Sequence, residues 1–290
     1  MTTPEISAVL VNFNAGLELR RALQSIADEL PRRHWEAVVV DNASTDGSGG
    51  TVAEFAPSAR LLRNDENIGF ARGMNQGMAA TTGPLVLIMN PDCHLMAGAF
   101  DAMRAELERS SGCAIVGPRI LNPDGSFQGS ARGDPDMLTG FFGRSTVLRR
   151  IFPTLSVSRR NVITDANQSG DTSVKVDWLS GACMLARRDA LEKVHGFDER
   201  YFLYWEDADL CRRLRAIGYE VRYVPVATAI HQVGQSSKSL KAPAIRAFHD
   251  SAYLYYGTHV APHSGLRRLL ARNLLSVRCW LQLRFVNSRQ

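Results

Sequence analysis

Four runs with strand character, the first rich in β-branched residues, and two helical segments make up the first third of the chain. Between them, leucine and isoleucine recur at helical spacing over 17–30, and a second helix is predicted over 69–80. Strands that are apolar throughout, with helices between them, are typical of a parallel sheet covered on both faces. The sequence therefore predicts an α/β fold with a mostly parallel sheet. The four predicted strands are 6–13, 35–41, 59–63 and 84–89.

The rest of the chain continues this pattern less regularly. Residues 133–172 have weak periodicity and many turn formers, and we interpret them as a long loop, a class of segment that often serves as a lid or binding loop. We divide the chain into a sheet domain, 1–237, and a basic helical extension, 238–290. The further predicted elements are a helix over 98–109, a strand over 114–118, strand character over 174–187, a helix over 204–218, two short strands after it, and a helix over 263–286.

The cysteines and the hydropathy of the sequence indicate the cellular compartment in which the protein is expected. The five cysteines are odd in number and form no CxxC pair, which favours reduced thiols in a cytoplasm over a zinc site or a disulfide framework. The N-terminal MTTPEISAVLVNFN lacks the pattern of a signal peptide. No apolar run is long enough to cross a bilayer. We therefore expect a cytoplasmic protein.

The net charge of +5 is concentrated towards the C-terminus. After Glu220 the only acidic side chain is Asp250. Such a surface is either a solvated basic face or one that attracts an anion, as in phospholipid or nucleic acid. No nucleic-acid-binding module is recognisable, so we expect no nucleic acid partner. The basic residues in this part are Arg222, Lys238, Lys241, Arg246, Arg267, Arg268, Arg272, Arg278, Arg284 and Arg289.

Polar side chains follow three of the predicted strands: Asn12, Asp41 and, in MNPDCHL, Asp92. Ligands of open α/β sheets bind at the carboxyl ends of the strands. Asp92 there suits a hard divalent cation, and Asp41 suits a base imide or a ribose hydroxyl. Each of these carboxylates could equally cap a helix or turn. The turn after Asp41 is not a calcium loop, because Ala53 occupies the position of the closing glutamate.

The segment YFLYWEDADLCRR places Glu206, Asp207 and Asp209 at the start of a predicted helix. Acidic residues there stabilise the helix dipole, which is a purely structural explanation. A cluster of acids also raises a carboxylate pKa or recruits a cation, and it could supply a general base for a sugar hydroxyl. Tyr204 and Trp205, directly before it, offer apolar faces for sugar rings.

The glycine-rich segment GFARGMNQG is neither a GxGxxG fingerprint nor a Walker loop. Gly73 and Gly77 are four residues apart and allow a helix to pack closely on its neighbour. Arg72 and Asn75 could face a phosphate or a ribose. His231 ends a later strand, where a single histidine is more often a surface or hydrogen-bonded residue than a ligand.

Taken together, seven segments in this order resemble the family 2 inverting glycosyltransferases with a GT-A fold, which is Rossmann-like. The resemblance extends from about residue 5 to 237. Within the family, GFDERYFLYWEDADL is similar to bacterial rhamnosyltransferases that act on polyprenyl-diphosphate-linked N-acetylglucosamine. The segments are VLVNFN, VVVDNASTDGS, NIGFARGMNQG, LIMNPDC, WLSGACMLARR, GFDERYFLYWEDADLCRR and HQVG.

The resemblance implies a role for each matching position. Asp207 would be the catalytic base with Glu206 beside it, and Asp92 and His231 would hold Mg²⁺ or Mn²⁺. Many relatives have aspartate where this chain has Asn90, so the cation site has one charge fewer. The nucleotide-sugar would contact Val11, Asn12, Phe13, Asp41, Arg72, Asn75 and Asn90. The acceptor would contact Trp178, Ser180, Gly181, Tyr204 and Trp205.

The implied function is metal-dependent, inverting transfer of a sugar to a hydroxyl of a lipid-linked or cell-surface glycan. L-Rhamnose on dTDP is the expected donor, and UDP-sugars remain open. The segment 263–286 combines leucines with arginines, so it would dock on the anionic inner face of a bacterial membrane. A packing helix or a homodimer contact is the alternative. A non-catalytic sugar-nucleotide scaffold and a sugar-1-phosphate nucleotidyltransferase are rival functions, although the glycine-rich, arginine-containing loop of the latter is missing after the first strand.

Overall fold

The structure is a computed structural model that describes residues 3–31, 33–134, 171–232 and 241–287. The predicted loop over 133–172 lies outside the described residues from 135 to 170. The predicted domain boundary at residue 237 lies outside them as well.

A mixed sheet forms the centre of the molecule. Its strands within the described residues are β1 Ile6–Asn12, β2 Trp35–Asn42, β3 Ala59–Asn64, β4 Leu85–Met89, β5 Cys93–Leu95, β6 Cys113–Leu121, β8 Val174–Lys175, β10 Cys183–Arg187 and β11 Glu220–His231. They lie in the order β3-β2-β1-β4-β10-β6-β11-β5, with β8 paired to β11. The first four are parallel, and β10 runs antiparallel to both β4 and β6. A separate two-stranded ribbon joins β7 Ala131–Arg132 to β9 Trp178–Leu179.

Helices cover both faces of this sheet and continue beyond it at the C-terminus. They are α1 Leu17–Glu29, α2 Phe70–Ala79, α3 Ala99–Arg109, α4 Arg188–Lys193, α5 Glu206–Ala216, α6 Lys241–Tyr255 and α7 Gly265–Asn287. A 3-10 helix spans Ser48–Phe55, and a π-helical turn, Tyr256–Val260, follows α6 directly. The predicted α/β architecture with a C-terminal helical extension is confirmed.

The core consists of two apolar layers, one on each side of the sheet. In β1, Ala8 and Leu10 pack into the layer that contains α1 and α3. The alternate residues Val9 and Val11 pack into the opposite layer with α2 and α5. Because successive strand residues point to opposite faces, a strand buried on both sides must be apolar throughout. This explains the uninterrupted apolar runs of the sequence.

The glycines of α2 allow that helix to lie directly on β1. A β-carbon at Gly73 would overlap the side chain of Val11, and one at Gly77 would overlap Val9. The predicted role of these glycines in close packing is confirmed. As a result the first residues of α2 are held over the carboxyl end of the sheet.

The short elements β5, β7 and α4 and the 3-10 helix were not predicted from the sequence, and β11 and α6 also differ from the prediction. The two short strands expected after residue 218 form one strand, β11, whose register shifts between Val224 and Thr228. Pro225 lies within that irregularity, where a residue without an N–H group does not interrupt the ladder. The helix α6 was not predicted, because Pro243 in its first turn and the polar residues along it obscure the apolar pattern.

Candidate active site

The carboxyl ends of β1 and β2 meet in a buried hydrogen-bond network. Asn12 and Asp41 are register partners, and both are fully buried. The Asn12 Nδ2 group donates to Asp41 Oδ1 at 2.8 Å and to Ser48 Oγ at 2.8 Å. The predicted juxtaposition of these strand-end residues is therefore present in the fold.

Two acceptor atoms of this network have no hydrogen-bond partner, Asn12 Oδ1 and Asp41 Oδ2. Arg63 Nε lies 3.4 Å from Asp41 Oδ2 in an ion pair, and the Arg63 side chain is 64% exposed. Buried acceptors normally find a donor, because an unpaired one costs about 1–3 kcal/mol. A ligand N–H or hydroxyl would reach Asp41 Oδ2 once the exposed guanidinium of Arg63 is displaced.

At the end of β4 the chain turns through Asn90 and Asp92 to meet the end of β11. His231 Nε2 lies 3.2 Å from Asp92 Oδ1 and 3.4 Å from Asn90 Nδ2. On the other side of the ring, His231 Nδ1 lies 3.0 Å from Gln128 Oε1, and Gln128 Nε2 donates back to the His231 carbonyl at 2.5 Å. The carboxamide oxygen can only accept, so Nδ1 carries a proton and the second nitrogen faces Asp92.

This arrangement fits a divalent cation. With its proton on Nδ1 and Nε2 unprotonated, His231 would direct a lone pair from Nε2 towards the Asp92 carboxylate, an orientation that a shared cation would stabilise. Among the described residues no group of three or more His, Cys, Asp or Glu side chains is arranged to hold a metal ion. Asp92 and His231 would thus be a minimal protein set, completed by waters and phosphate oxygens as is usual for Mg²⁺ sites. Asn90 adds an amide instead of a second carboxylate.

The loop between β9 and β10 connects this corner to the acidic helix α5. The Asn90 N–H group donates to the Ala182 carbonyl at 2.9 Å. The Gly181 N–H group donates to Asp207 Oδ2 at 2.9 Å, and the Ala208 N–H group donates to Asp207 Oδ1 at 2.8 Å. Adjacent residues of one loop therefore hold Asn90 and Asp207. Each carboxylate oxygen can accept two hydrogen bonds, so these backbone contacts orient the half-buried Asp207 and are compatible with a further contact to a hydroxyl.

Glu206 is a buried acid next to this half-buried carboxylate. It is 6% exposed, and its Oε2 atom has no hydrogen-bond partner. Burial, followed by the nearby charges of Asp207 and Asp209, raises the pKa of Glu206 well above its ordinary value. Burial and the neighbouring acids therefore disfavour the charged form of Glu206 at the start of α5.

The pKa of Glu206 predicts a specific pH dependence of stability. Because its folded-state pKa lies above the ordinary 4.5, the contribution of Glu206 to stability is complete below pH 4.5 and is lost as pH rises through the folded value. Glu206→Gln should therefore remove this loss and raise the free energy of unfolding at pH 7.5. The expected gain is about 1.4 kcal/mol for each unit by which the pKa of Glu206 in the folded protein exceeds 4.5. Urea unfolding of both proteins between pH 5 and 8 measures it. Parallel stability curves would contradict the prediction, and Glu108→Gln on the exposed face of α3 is the control.

The predicted acceptor residues border the same loop. Ser180 N–H donates to the Ser130 carbonyl at 3.1 Å, and Trp178 Nε1 donates to the Gly133 carbonyl at 2.9 Å. The Arg132 guanidinium lies over the Trp178 ring, 4.9 Å from its centroid. The indole is therefore held on one face by the β7–β9 ribbon.

Tyr204 and Trp205 form a strained turn before α5. Both have φ near 70°, the left-handed region, which costs a non-glycine residue about 1–3 kcal/mol. Their rings lie against Phe248 of α6, with centroid distances of 5.8 and 5.9 Å. Strain of this kind is retained at functional sites where the surrounding structure enforces it.

Four of the residues predicted to contact the nucleotide-sugar make contacts within the protein or lie partly in its core. Asn75 uses its amide to bind the backbone of Phe197 on both sides, at 2.9 Å each, and Arg72 Nε lies 3.5 Å from Glu199 Oε2. The Val11 side chain packs in the core against α2, so only its backbone is available to a ligand. Phe13 is half-buried beyond the end of β1. The roles assigned to these four residues stay predictions.

Gln128, which contacts His231, is a residue of the candidate site that the sequence did not suggest. It follows the turn NPDG, residues 122–125, and no spacing or motif marks it. Its contacts with His231 span 103 positions of the chain and exist only because β6 and β11 pair in parallel.

Sequence comparison identifies the family. The family model for glycosyl transferase family 2 matches residues 7–194, and that for glycosyl transferase family group 2 matches residues 138–284. The chain is 33% identical over 300 residues to an N-acetylglucosaminyl-diphospho-decaprenol L-rhamnosyltransferase of Mycobacterium tuberculosis, covering 97% of this chain and 94% of that protein.

Solved structures show the same fold at low sequence identity. GalNAc-T7 with UDP, GalNAc and Mn²⁺ aligns with a TM-score of 0.62 at 14% identity, covering 94% of this chain and 54% of that one. A mannosyltransferase from Pyrobaculum calidifontis in complex with GDP-Man and Mn²⁺ gives a TM-score of 0.57 at 18% identity, covering 97% of this chain and 70% of that one. With the sheet, the joined strand-end corner and the family matches in agreement, the chain belongs to glycosyl transferase family 2 and is a glycosyltransferase.

Proposed function

We propose that this glycosyltransferase moves L-rhamnose from dTDP-L-rhamnose to a hydroxyl of polyprenyl-diphosphate-linked N-acetylglucosamine, with inversion at the anomeric carbon. One observation carries the proposal: neighbouring residues of the loop between β9 and β10 hold both sides of the candidate site. The Ala182 carbonyl binds Asn90, next to Asp92, and the Gly181 N–H group binds Asp207. A donor diphosphate at Asp92 would then have a carboxylate beside its sugar. The similarity to the mycobacterial rhamnosyltransferase supports this choice of substrates.

The nucleotide would lie across three neighbouring strands. Asp41, Asn12 and Asn90 lie at or next to the carboxyl ends of β2, β1 and β4. Neighbouring strands are about 4.8 Å apart, so the outer two ends are separated by about 10 Å. This separation suits a nucleoside whose diphosphate extends from Asp41 towards Asp92. Asp41 Oδ2 would accept a hydrogen bond from the base or ribose after Arg63 moves aside.

Asp207 would act as the general base. It takes the proton of the acceptor hydroxyl, whose oxygen bonds to the anomeric carbon on the face opposite the diphosphate. The bond from that carbon to the diphosphate oxygen breaks, and its electron pair leaves with the nucleotide. A single displacement inverts the centre and needs no second nucleophile.

A divalent cation, Mg²⁺ or Mn²⁺, would be held by Asp92 and His231, with Gln128 orienting the imidazole. When bound, it would neutralise charge on the departing diphosphate. The two neighbouring structures with Mn²⁺ and a nucleotide or nucleotide sugar are consistent with such a cation.

The experiment that tests the substrates is a panel of nucleotide sugars assayed against polyprenyl-diphosphate-linked N-acetylglucosamine, with and without Mg²⁺. The expected result is that dTDP-L-rhamnose gives the highest turnover, that turnover needs the metal, and that the product has the inverted anomeric configuration. Higher turnover with a UDP-hexose would contradict the proposed donor, and a retained configuration would contradict the mechanism.

We also propose that α7 docks on the anionic inner face of the bacterial membrane, where a lipid-linked acceptor is presented. One face of α7 is turned towards α6, with Ala271 and Leu275 buried. Its other face carries exposed apolar residues at spacings of three and four, bordered by arginines. These residues are Leu266, Leu269, Leu270, Leu274, Val277, Trp280, Leu281 and Phe285, each at least 45% exposed. No described helix is long and apolar enough to cross a membrane.

The double variant Leu270→Glu/Leu274→Glu should weaken binding to phosphatidylglycerol vesicles at least about tenfold, because each leucine contributes about 1.5 kcal/mol or more when buried. Flotation of the full chain measures it. Leu17→Glu, at a 71% exposed position on α1, is the matched control. Unchanged flotation, together with a shift from dimer to monomer in light scattering, would instead identify this face as a contact between two copies.

A further inference from the structure

Helix α6 contacts the turn that precedes the proposed base. Ser251 Oγ of α6 donates to the Leu203 carbonyl at 2.9 Å. Phe248 packs on the rings of Tyr204 and Trp205, and Tyr255 packs on Trp205 with centroids 5.3 Å apart. Two consecutive aromatic residues in the left-handed region need such external support. Phe248, Ser251 and Tyr255, which supply these contacts, lie beyond position 240.

A second contact reaches the first turn of α5 itself. His259, in the π-helical turn after α6, places Nε2 2.6 Å from Asp209 Oδ1. Asp209 is 1% exposed, and its other carboxylate oxygen accepts from Arg213 Nε at 2.6 Å. A buried carboxylate oxygen without a partner costs stability, so the contact with His259 stabilises the buried Asp209 together with that of Arg213.

Asp209 is also hydrogen-bonded to the strained turn, so the contact with His259 helps to hold that turn. Its backbone N–H group donates to the Trp205 carbonyl at 3.0 Å, which closes the first turn of α5. Asp207 lies between Trp205 and Asp209 in the chain, so its direction depends on that turn. The backbone of His259 is fixed as well, because Arg212 Nη2 donates to its carbonyl at 3.0 Å.

We propose that His259 is a positioning residue for the transfer reaction. Through Asp209 it holds the first turn of α5 so that Asp207 points at the acceptor hydroxyl. The inference rests on the proposed role of Asp207 as the base. It also gives the C-terminal extension a part in the reaction site that is independent of membrane docking by α7.

Two replacements of similar size separate positioning from general packing. Glutamine places its amide nitrogen near the position of Nε2 and can still donate to Asp209, whereas asparagine reaches only the position of Nδ1. His259→Gln should keep turnover within about threefold of the wild type, and His259→Asn should lower kcat about ten- to a hundredfold, as expected for a displaced catalytic group. The donor KM should stay unchanged in both variants. His263→Gln, at an exposed position four residues on, is the control.

The measurement uses the full chain with the donor that the nucleotide-sugar panel ranks first and the lipid-linked N-acetylglucosamine acceptor. Equal kcat for the glutamine and asparagine variants would overturn the proposal, whether both are active or both are impaired. A raised donor KM in the asparagine variant would overturn it as well, since it would indicate a wider loss of structure. If Asp207 is not the base, Asp207→Asn will have normal turnover, so that failure is recognised separately. Near-UV circular dichroism of the aromatic residues around Trp205 shows whether His259→Asn loosens the turn.

Discussion

Replacement of Asp207 by asparagine is expected to lower the transfer rate at least about a hundredfold while donor binding is retained, because general base catalysis typically contributes about 10²–10⁴-fold. The asparagine side chain has the same shape, and its amide oxygen accepts from one of the two backbone N–H groups that Asp207 binds, those of Gly181 and Ala208. It cannot take a proton from the acceptor hydroxyl at neutral pH. The loss should therefore appear in kcat and not in the donor dissociation constant.

Steady-state kinetics and calorimetry with the donor test this prediction together. Asp189→Asn is the matched control, since Asp189 is a 65% exposed acid on α4. Near-normal turnover of Asp207→Asn would show that another group removes the proton. A loss of donor affinity equal to the loss in rate would show that Asp207 binds the donor instead.

Replacement of Asp92 by alanine is expected to abolish the gain in donor affinity that Mg²⁺ or Mn²⁺ provides. Asp92 and His231 are the two side chains with which the chain would hold the cation, and loss of even an outer partner costs about ten- to a hundredfold at metal sites. The alanine variant should therefore bind the donor at least about tenfold more weakly with metal present. In the presence of a chelator, the two proteins should bind it equally.

Calorimetric titration of donor with Mg²⁺, with Mn²⁺ and with chelator measures this difference. Asp124→Ala is a suitable control, because Asp124 is an exposed acid in the turn after β6. Unchanged affinity of Asp92→Ala in the presence of metal would contradict the proposed cation site. It would leave the family and the fold unaffected, since neither depends on a cation.

The sequence predicted the sheet and its functional edge because both depend on local patterns. Strands buried on two faces must be apolar throughout, and the polar residues Asn12, Asp41 and Asp92 interrupt those runs where each strand ends. Parallel strands bring such ends to one edge, so their common location followed without coordinates. The acidic start of α5 and the packing glycines of α2 were evident for the same reason.

Other features could not be predicted, because they depend on contacts between distant parts of the chain. The helix α6 carries no clear apolar stripe, yet it packs on the turn before α5. Gln128 follows an ordinary polar turn in the sequence, and only the pairing of β6 with β11 brings His231 beside it. Asn75 resembled a ligand contact in the sequence, but the structure places its amide on the backbone of Phe197.

The sequence by itself determined the class of fold, the family and the edge of the sheet at which the candidate site lies. These depend on periodicity and on the order of motifs, which are properties of neighbouring residues. Only the tertiary structure decided how the groups at that edge are oriented. The contacts of Gly181 with Asp207, Gln128 with His231, and His259 with Asp209 join residues 26, 103 and 50 positions apart. Such contacts form because packing brings separate elements together, and the local sequence does not encode which side chains will meet.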